Sequence, residues 1–182
     1  MSVIAESAVS GPRPAVAARE RDTFASLYER TFPRVYAYVA SLLRDRNAAE
    51  DVTAQAFERA YRRRASYRPS RGTAEAWLFG IARNAALDEL RRRKRQATLA
   101  GDTEDIGAPT AEDHAEEALR REVLRSALAV LDARERDLVA LKFSGGLSNA
   151  EIARVLGTSE SNAGTLLHRT VTKLRKAYDE LP

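Results

Sequence analysis

Between Trp77 and Arg95, side chains that could contact nucleic acid recur at helical spacing. They lie three, four or seven residues apart, so a helix would align them along one side. Amide, carboxylate and guanidinium groups can hydrogen-bond to base edges and to phosphates. This stripe is a candidate DNA-reading surface, although a basic run alone also fits a solvated helix face. Its members are Asn84, Asp88, Arg91, Arg92 and Arg95.

A second cluster lies between Ser148 and Arg169. Ser148 and Glu151 have the spacing of a capping box, and Gly157 supplies a turn before Ser159, which can cap the next helix. Two short helices joined in this way predict a helix-turn-helix, whose second helix enters the major groove. A plain helical hairpin is the alternative. The outward positions are Ser159, Glu160, Ser161, Asn162, Thr165 and His168, and the cations that could reach phosphates are Arg169, Lys173 and Arg175.

The basic segment from Arg64 to Gly72 precedes the first stripe and contains Tyr67 and Arg71. Aromatic rings and guanidinium planes can stack on unpaired bases, while arginines follow the phosphates of a single strand. A solvated loop explains the same residues equally well. The residue types alone therefore leave both interpretations of this loop open.

Apolar spacing predicts helices as the elements that carry these residues. One begins at Phe24 and is kinked or restarted at Pro33. The next runs from about residue 47 to 65 with Asn47 as its cap, and Thr73 caps the helix of the first stripe. Four residues of this second helix form one apolar line, with Phe57 and Tyr61 beside it: Ala49, Val52, Ala56 and Ala60. Helical spacing returns at Ala115. The core side of the last helix is expected to contain Ala163, Leu166, Leu167, Val171 and Leu174.

Charge divides the 182-residue chain into blocks. Residues 24–96 have a net charge of +8, residues 97–123 of −6 and residues 124–182 of +2. Two basic modules that bind a polyanion, joined by an acidic spacer, fit this pattern. We therefore expect an all-α protein with two small helical domains, at 22–96 and 115–182. A disordered tail (1–21) and a flexible acidic linker (97–114) complete the chain.

Other function classes find little support in the sequence. Cys is absent, and neither His114 nor His168 has another His within ligand spacing, so no metal site is expected. Phosphate-binding loops and nucleophile elbows are also absent, so the chain is expected to be neither an enzyme nor a cofactor carrier. No apolar run is long enough for a membrane helix and no signal pattern is visible, which indicates a cytoplasmic protein.

With these motifs in view, the sequence resembles the bacterial RNA polymerase sigma factors of the extracytoplasmic-function type. The likeness covers about residues 22–95 and 116–178. The first span is similar to the domain that reads the promoter −10 element, and the second to the −35 domain. The motifs are Ala49-Glu50-Asp51 through Phe57, Ala60-Tyr61, Trp77-Leu78, Ile81-Ala82-Arg83-Asn84, Asp88 and Arg91-Arg92, and the helix-turn-helix through Leu174-Arg175.

The resemblance implies partners and roles. The helix that carries Asp51, Gln55 and Phe57 would bind core RNA polymerase, which takes part through its β′ clamp and β subunits. Promoter DNA would be melted with the help of Tyr67 and Arg71. Asn84, Asp88, Arg91 and Arg92 would read the −10 element, and the Ser159–Lys173 helix would read the −35 element. An anti-sigma factor clamped across both domains is a further implied partner.

Two departures from the family pattern affect these roles. Ala54 stands where the family usually has Gln, and Gln55 stands where it usually has Glu. In the recognition helix, the segment Ser161–Leu166 replaces a run that usually carries two cations. Gly164 also weakens that helix by up to about 1 kcal/mol relative to Ala. We therefore expect weak phosphate anchoring and a changed preference at the −35 site.

A free-standing helix-turn-helix regulator is the competing hypothesis. Its N-terminal half would then be an input or dimerisation module. The basic loop with Tyr67 discriminates between the two, because a protein that binds only duplex DNA has no use for a single-strand platform.

Overall fold

The computed structural model describes residues 14–100 and 115–180, and every regular element within these ranges is helical. The N-terminal half contains α1 (Pro14–Leu43), α2 (Arg46–Arg62) and α3 (Ala74–Ala100), with two 3₁₀ turns between α2 and α3. The C-terminal half contains α4 (Ala115–Ala129), α5 (Ala133–Val139), a π-helical segment (Ala140–Ser144), α6 (Asn149–Leu156) and α7 (Glu160–Asp179). The all-α prediction is confirmed.

The first helix differs from expectation at two points. It begins at Pro14, so residues 14–21 of the expected tail are helical, and residues 1–13 lie outside the described residues. Proline suits a first helical turn because its missing N–H would have no partner there. Pro33, by contrast, lies inside α1, which is not restarted there. Pro33 is exposed, whereas Val35 and Val39 are fully buried and keep the following turns packed.

Helix α2 supplies a line of small apolar side chains to the core. It is capped by Asp45 rather than Asn47, because the Asp45 carboxylate accepts a hydrogen bond from the backbone N–H of Ala48 at 3.0 Å. Hydrogen bonding to Ala48 lowers the pKa of Asp45, as expected for a carboxylate at a helix N-terminus. The predicted line is fully confirmed as buried: Ala49, Val52, Ala56 and Ala60.

Helix α3 carries the first stripe and packs against both α1 and α2. Thr73 caps it as predicted, since its hydroxyl accepts from the backbone N–H of Ala76 at 3.1 Å. Leu78, Ala82 and Ala85 are buried, while Trp77 and Ile81 are only partly covered. The first four residues of the expected linker, 97–100, continue this helix, and residues 101–114 are not described.

The helix-turn-helix forms as the sequence predicts. Ser148 and Glu151 complete the capping box of α6, and Gly157 ends α6 in the left-handed region with φ of 67°. Ser159 caps α7 by accepting from the backbone N–H of Asn162 at 3.2 Å. This order of helix, left-handed glycine and capped second helix fixes the angle at which α7 leaves α6.

The expected core side of α7 is wrong at one position. Leu166 is 40% exposed, whereas Thr170 is buried. Ala163, Leu167 and Thr170 recur four and three residues apart, so they define the inward side, with Leu166 turned out from it. The buried Thr170 hydroxyl donates to the carbonyl of Leu166 at 2.9 Å, which satisfies a polar group that the apolar pattern did not reveal.

The two halves share one hydrophobic core. Tyr38 and Phe79 of the N-terminal half belong to the same buried cluster as Leu141 and Ile152 of the C-terminal half. Helix α1 packs on the π-helical segment, and α3 packs on α6. The two DNA-reading candidates are therefore held in one body, in direct contact through their supporting helices.

Candidate nucleic-acid interface

The stripe on α3 is exposed, and its two central arginines are each held by an acid one turn earlier. Arg91 donates to Asp88 at 2.9 Å, and Arg92 donates two hydrogen bonds to Glu89, at 2.8 Å each. A bidentate pair of this kind fixes the plane of the guanidinium group. Asn84 is exposed on the same side. The arginines are thus oriented before any ligand arrives.

Glu89 is the central residue of a longer chain of ion pairs. It also accepts from Arg93 at 2.8 Å, and Arg93 donates to Asp45 at the start of α2, at 2.9 Å. These hydrogen bonds, from Arg92 first and then Arg93, lower the pKa of Glu89 to about 2. These ion pairs connect the exposed Arg92 to the capped end of α2. The three-residue spacing of Glu89 and Arg92 is visible in the sequence, but the sequence analysis did not predict the connection.

The basic loop before α3 is ordered as two 3₁₀ turns, Arg64–Ser66 and Pro69–Arg71. Tyr67 lies between them with its ring 5.6 Å from that of Trp77, and its hydroxyl donates to the carbonyl of Gly72 at 2.9 Å. Arg71 is exposed. The loop therefore presents one partly exposed aromatic ring beside an exposed cation, the combination that stacks on and neutralises single strands.

The exposed side of α2 carries Asp51 and Gln55. Phe57, which was expected to share that surface, is 5% exposed and packs under Tyr28 and Phe32, with ring centroids 4.7 and 5.9 Å away. The aromatic rings that reach the surface here are those of Tyr28 and Phe32. Phe57 consequently supports this surface from beneath. Apolar spacing beside the Ala49 line already indicated a core side chain at this position.

The outward side of α7 contains every residue that was assigned to it. Two of them donate to other side chains: the Asn162 amide donates to the Thr158 hydroxyl at 2.7 Å, and Lys173 donates to Glu135 of α5 at 2.7 Å. The bond from Lys173 lowers the pKa of Glu135. All nine are exposed: Ser159, Glu160, Ser161, Asn162, Thr165, His168, Arg169, Lys173 and Arg175.

One polar cluster between the two halves was not predicted. The Tyr38 hydroxyl of α1 donates to the Asp137 carboxylate of α5 at 2.8 Å, and Arg83 of α3 donates to the other carboxylate oxygen at 2.6 Å. The Asp137 side chain is 5% exposed. Burial, reinforced by the neighbouring carboxylate, raises the pKa of Tyr38. Partners 99 and 54 residues away leave no local signal in the sequence.

Further contacts join the halves around this cluster. Arg34 donates to the carbonyl of Gly145 at 2.8 Å, and the Thr73 hydroxyl donates to Glu151 at 2.8 Å. The side chain of Arg154 lies so close to Gly72 that a Cβ there would be 2.9 Å from Arg154 Cδ. The C-terminal half therefore covers the start of α3 and the end of the basic loop.

No helix in residues 14–100 or 115–180 combines the length and apolarity needed to cross a membrane. Within the same ranges, no three His, Cys, Asp or Glu side chains are grouped to hold a metal ion.

Comparisons with known proteins match both halves. Residues 27–96 match the model of sigma-70 region 2, and residues 121–174 match that of sigma-70 region 4. The ECF RNA polymerase sigma factor SigL of Mycobacterium tuberculosis is 34% identical over 175 residues, covering 95% of this chain and 96% of SigL. The sigma factor CarQ of Myxococcus xanthus is 36% identical over 164 residues, covering 88% of this chain and 92% of CarQ.

Two solved structures resemble the fold. The sigma factor RpoE, in a complex with the anti-sigma factor NepR from Bartonella quintana, superposes with a TM-score of 0.71 at 21% identity, covering 88% of this chain and 99% of RpoE. CnrH, in complex with the cytosolic domain of CnrY, gives a TM-score of 0.65 at 24% identity, covering 91% and 96%. At these identities the likeness establishes the fold alone.

Proposed function

The chain belongs to the extracytoplasmic-function family of RNA polymerase sigma factors, and on that basis we propose how its exposed residues divide between promoter DNA and polymerase. As a sigma factor, it acts with core RNA polymerase to start transcription at specific promoters. The observation that carries the residue-level proposal is that one chain exposes two separate polar surfaces, one on α3 and one on α7.

The α3 surface reads the −10 element in this proposal. Arg91 and Arg92 contact phosphates or base edges, while Asn84 and Asp88 offer the amide and carboxylate groups that discriminate between bases. Tyr67 and Arg71 hold an unpaired base and its phosphate. Extruding a base costs a few kcal/mol, and stacking on an aromatic ring recovers about 1–3 kcal/mol per base. Base capture therefore offsets strand opening without nucleotide hydrolysis.

The α2 surface contacts the β′ clamp of the polymerase. Asp51 and Gln55 are exposed on it, and the buried Phe57 holds the helix against the aromatic rings of Tyr28 and Phe32. Ala54, where the family usually has Gln, is exposed between them and offers no polar group. The polar part of this contact therefore rests on Asp51 and Gln55.

The −35 element is read by α7 in the major groove. Residues near its N-terminus, Ser159 to Thr165, face base edges, and Arg169 and Lys173 further along reach phosphates. Lys173 must first exchange its carboxylate partner Glu135 for a phosphate. With few cations on the exposed side, phosphate anchoring at this site is weak.

An anti-sigma factor is the remaining proposed partner. RpoE from Bartonella quintana was solved with the anti-sigma factor NepR, and CnrH with the cytosolic domain of CnrY. A binder of this class would act by covering the α2 or α3 surface. Co-purification from the native cell tests the partner, and an uncomplexed pool that is fully active in transcription would contradict it.

The experiment that tests the DNA assignment is a promoter selection with the reconstituted holoenzyme. Arg91→Ala removes a reading residue, whereas Arg125→Ala removes an exposed arginine with the same pairing to an acid three residues earlier, on α4. We expect Arg91→Ala to cost about 1–3 kcal/mol of discrimination at −10 positions. An equal loss in both variants, or a loss confined to −35 positions, would contradict the assignment.

A further inference from the structure

Gly80 lies inside α3 at a position where the fold does not require a glycine. Glycine in a helix interior lowers the stability of the helix relative to alanine, because its backbone loses more conformational freedom on folding. A Cβ added at Gly80 would meet nothing within 4 Å in the described part of the chain, so no crowding excludes a side chain. Its φ is not positive either. Neither crowding nor backbone conformation therefore explains this glycine.

Most other glycines in residues 14–100 and 115–180 do have such a reason. At Gly145, a Cβ would lie 2.7 Å from the carbonyl oxygen of Leu141. Gly164, inside α7, resembles Gly80, since a Cβ there would make an ordinary contact of 3.5 Å with the amide nitrogen of Asn149. Three glycines have positive φ angles: Gly72, Gly146 and Gly157. The two described glycines that the fold does not require thus lie on the two proposed DNA-reading helices.

Gly80 extends the stripe of α3 by one turn toward the basic loop. It precedes Asn84 by four residues and Arg91 by eleven, which is about one turn and three turns of helix, so it lies on their side. Trp77, one turn before Gly80, has its ring 5.6 Å from that of Tyr67 in the loop. A single strand that contacts both the loop and the stripe must therefore pass over Gly80.

The missing side chain leaves space beneath Asn84. Helical side chains lean toward the N-terminus of their helix, so that of Asn84 covers the turn that contains Gly80. Asn84 is exposed, and within the described residues its amide takes part in no hydrogen bond. An asparagine side chain is short, so its amide reaches the edge of a base only when that base lies close to the helix.

A side chain at position 80 would keep a base away from the helix surface. Moving a contact outward by about 0.5–1 Å already loses a quarter to a half of its dispersion attraction. A bare backbone at Gly80 allows the face of a base to contact the helix directly, which is a general use of glycine beside a ligand. The base edge would then lie beside the Asn84 amide.

We propose that Gly80 is a specificity-determining position, where one base of the −10 strand packs on the bare backbone and the Asn84 amide reads its edge. The α3 helix is less stable than it would be with alanine, and the base gains a close approach. The inference rests on the proposed function and deepens it, because it names the place where one base is bound.

Promoter selection on a library randomised at the −10 element tests the position, with holoenzymes that contain Gly80→Ala or Gly80→Leu. Both new residues favour helix over glycine, so Gly80→Ala should unfold at a higher temperature than the wild type. We expect each variant to lose about fivefold or more of the preference for the best base at one −10 position. Leucine should cause the larger loss, because it fills more of the space. A loss of selectivity in a chain that has become more stable excludes misfolding as its cause.

Gly164→Ala is the matched control. It makes the same change inside the other proposed reading helix, again without a clash. Its −10 preferences should equal those of the wild type, so that any change falls at −35 positions. A change at the −10 element in Gly164→Ala as large as that in Gly80→Ala would overturn the assignment of Gly80.

Asn84→Ala tests whether the two residues act on one base. If they do, Gly80→Leu should reduce the preference at that position much less when Asn84 is already alanine. Losses that simply multiply in the double variant would show that Gly80 and Asn84 act independently, which overturns their pairing.

The remaining outcomes separate the inference from the proposed function. Wild-type −10 preferences in both Gly80 variants, or a loss spread evenly over all −10 positions, would overturn the role of Gly80 and leave the proposed function intact. If Gly80→Leu does not fold, Gly80→Ala decides. A wild-type chain that selects no −10 sequence at all would contradict the proposed function.

Discussion

Arg92 is held in place by Glu89, which accepts two of its hydrogen bonds at 2.8 Å each. The Glu89 side chain is 11% exposed, so this pair is better shielded from solvent than the neighbouring Arg91–Asp88 pair, in which the Asp88 side chain is 60% exposed. The acid therefore acts as a positioning residue for an arginine of the proposed −10 surface.

Replacing Glu89 with Gln should weaken −10 recognition without changing the reading residues. Arg92 and Arg93 lose a charged partner, and we expect a loss of about 1 kcal/mol or more in binding of −10 DNA by the holoenzyme. Glu122→Gln, which changes another acid paired three residues ahead, is the matched control. Equal affinities of the Glu89 and Glu122 variants would argue against a positioning role.

The lowered pKa of Glu89 predicts that the stability of the fold depends on pH. Its pKa is about 2 in the folded chain, below the usual 4.5. A carboxyl whose pKa falls on folding stabilises the fold above the unfolded pKa, and the stabilisation is lost as pH falls toward the folded value. Urea unfolding should show wild-type stability decreasing between about pH 4.5 and pH 2 more steeply than that of Glu89→Gln. Parallel curves for the two proteins would contradict this.

Replacement by alanine should change the stability of the fold in opposite directions at two glycines that have open space around them. A Cβ at Gly157 or Gly80 would meet nothing within 4 Å, but Gly157 has φ of 67°, whereas Gly80 lies inside α3. We expect Gly157→Ala to destabilise by about 1–2 kcal/mol and Gly80→Ala to stabilise by up to about 1 kcal/mol. Thermal unfolding of the two variants measures both. A stabilised Gly157→Ala would show that the turn does not need its left-handed residue.

Leu166 gives a test of phosphate anchoring at the −35 site. It is 40% exposed on α7, in the segment where family members usually carry cations. Leu166→Arg should raise affinity for −35 duplexes and steepen the dependence of log K on log salt by about 1, the value for one added phosphate contact. Leu166→Gln removes the apolar group without adding charge and should leave the slope unchanged. A slope that is already steep in the wild type would contradict weak anchoring.

Local rules predicted most of the fold and of the DNA-reading surfaces. The Ala49 line, the Thr73 cap and the Ser148–Glu151 box follow from spacing within one or two turns. The same rules chose Asn47 over Asp45 as a cap, because both residue types can cap. In the structure Asp45 caps α2 and also pairs with Arg93 of α3, a contact that local rules do not reach.

Contacts between distant segments could not be predicted in this way. Tyr38 and Asp137 are 99 residues apart, and a tyrosine or an aspartate at helical spacing gives no indication of its partner. Leu166 and Thr170 illustrate a smaller failure. Helical periodicity identifies the core-facing side of a helix only to within about one residue. Which of two neighbouring residues is buried depends on how α7 packs on α6.

The most direct test of the account is run-off transcription with purified core RNA polymerase on a random promoter library. Core enzyme with this chain should start at a defined set of promoters that share one −10 and one −35 motif, while core enzyme alone should show no such selectivity. If the chain neither binds core enzyme nor changes where transcription starts, its assignment as a promoter-specificity subunit is contradicted.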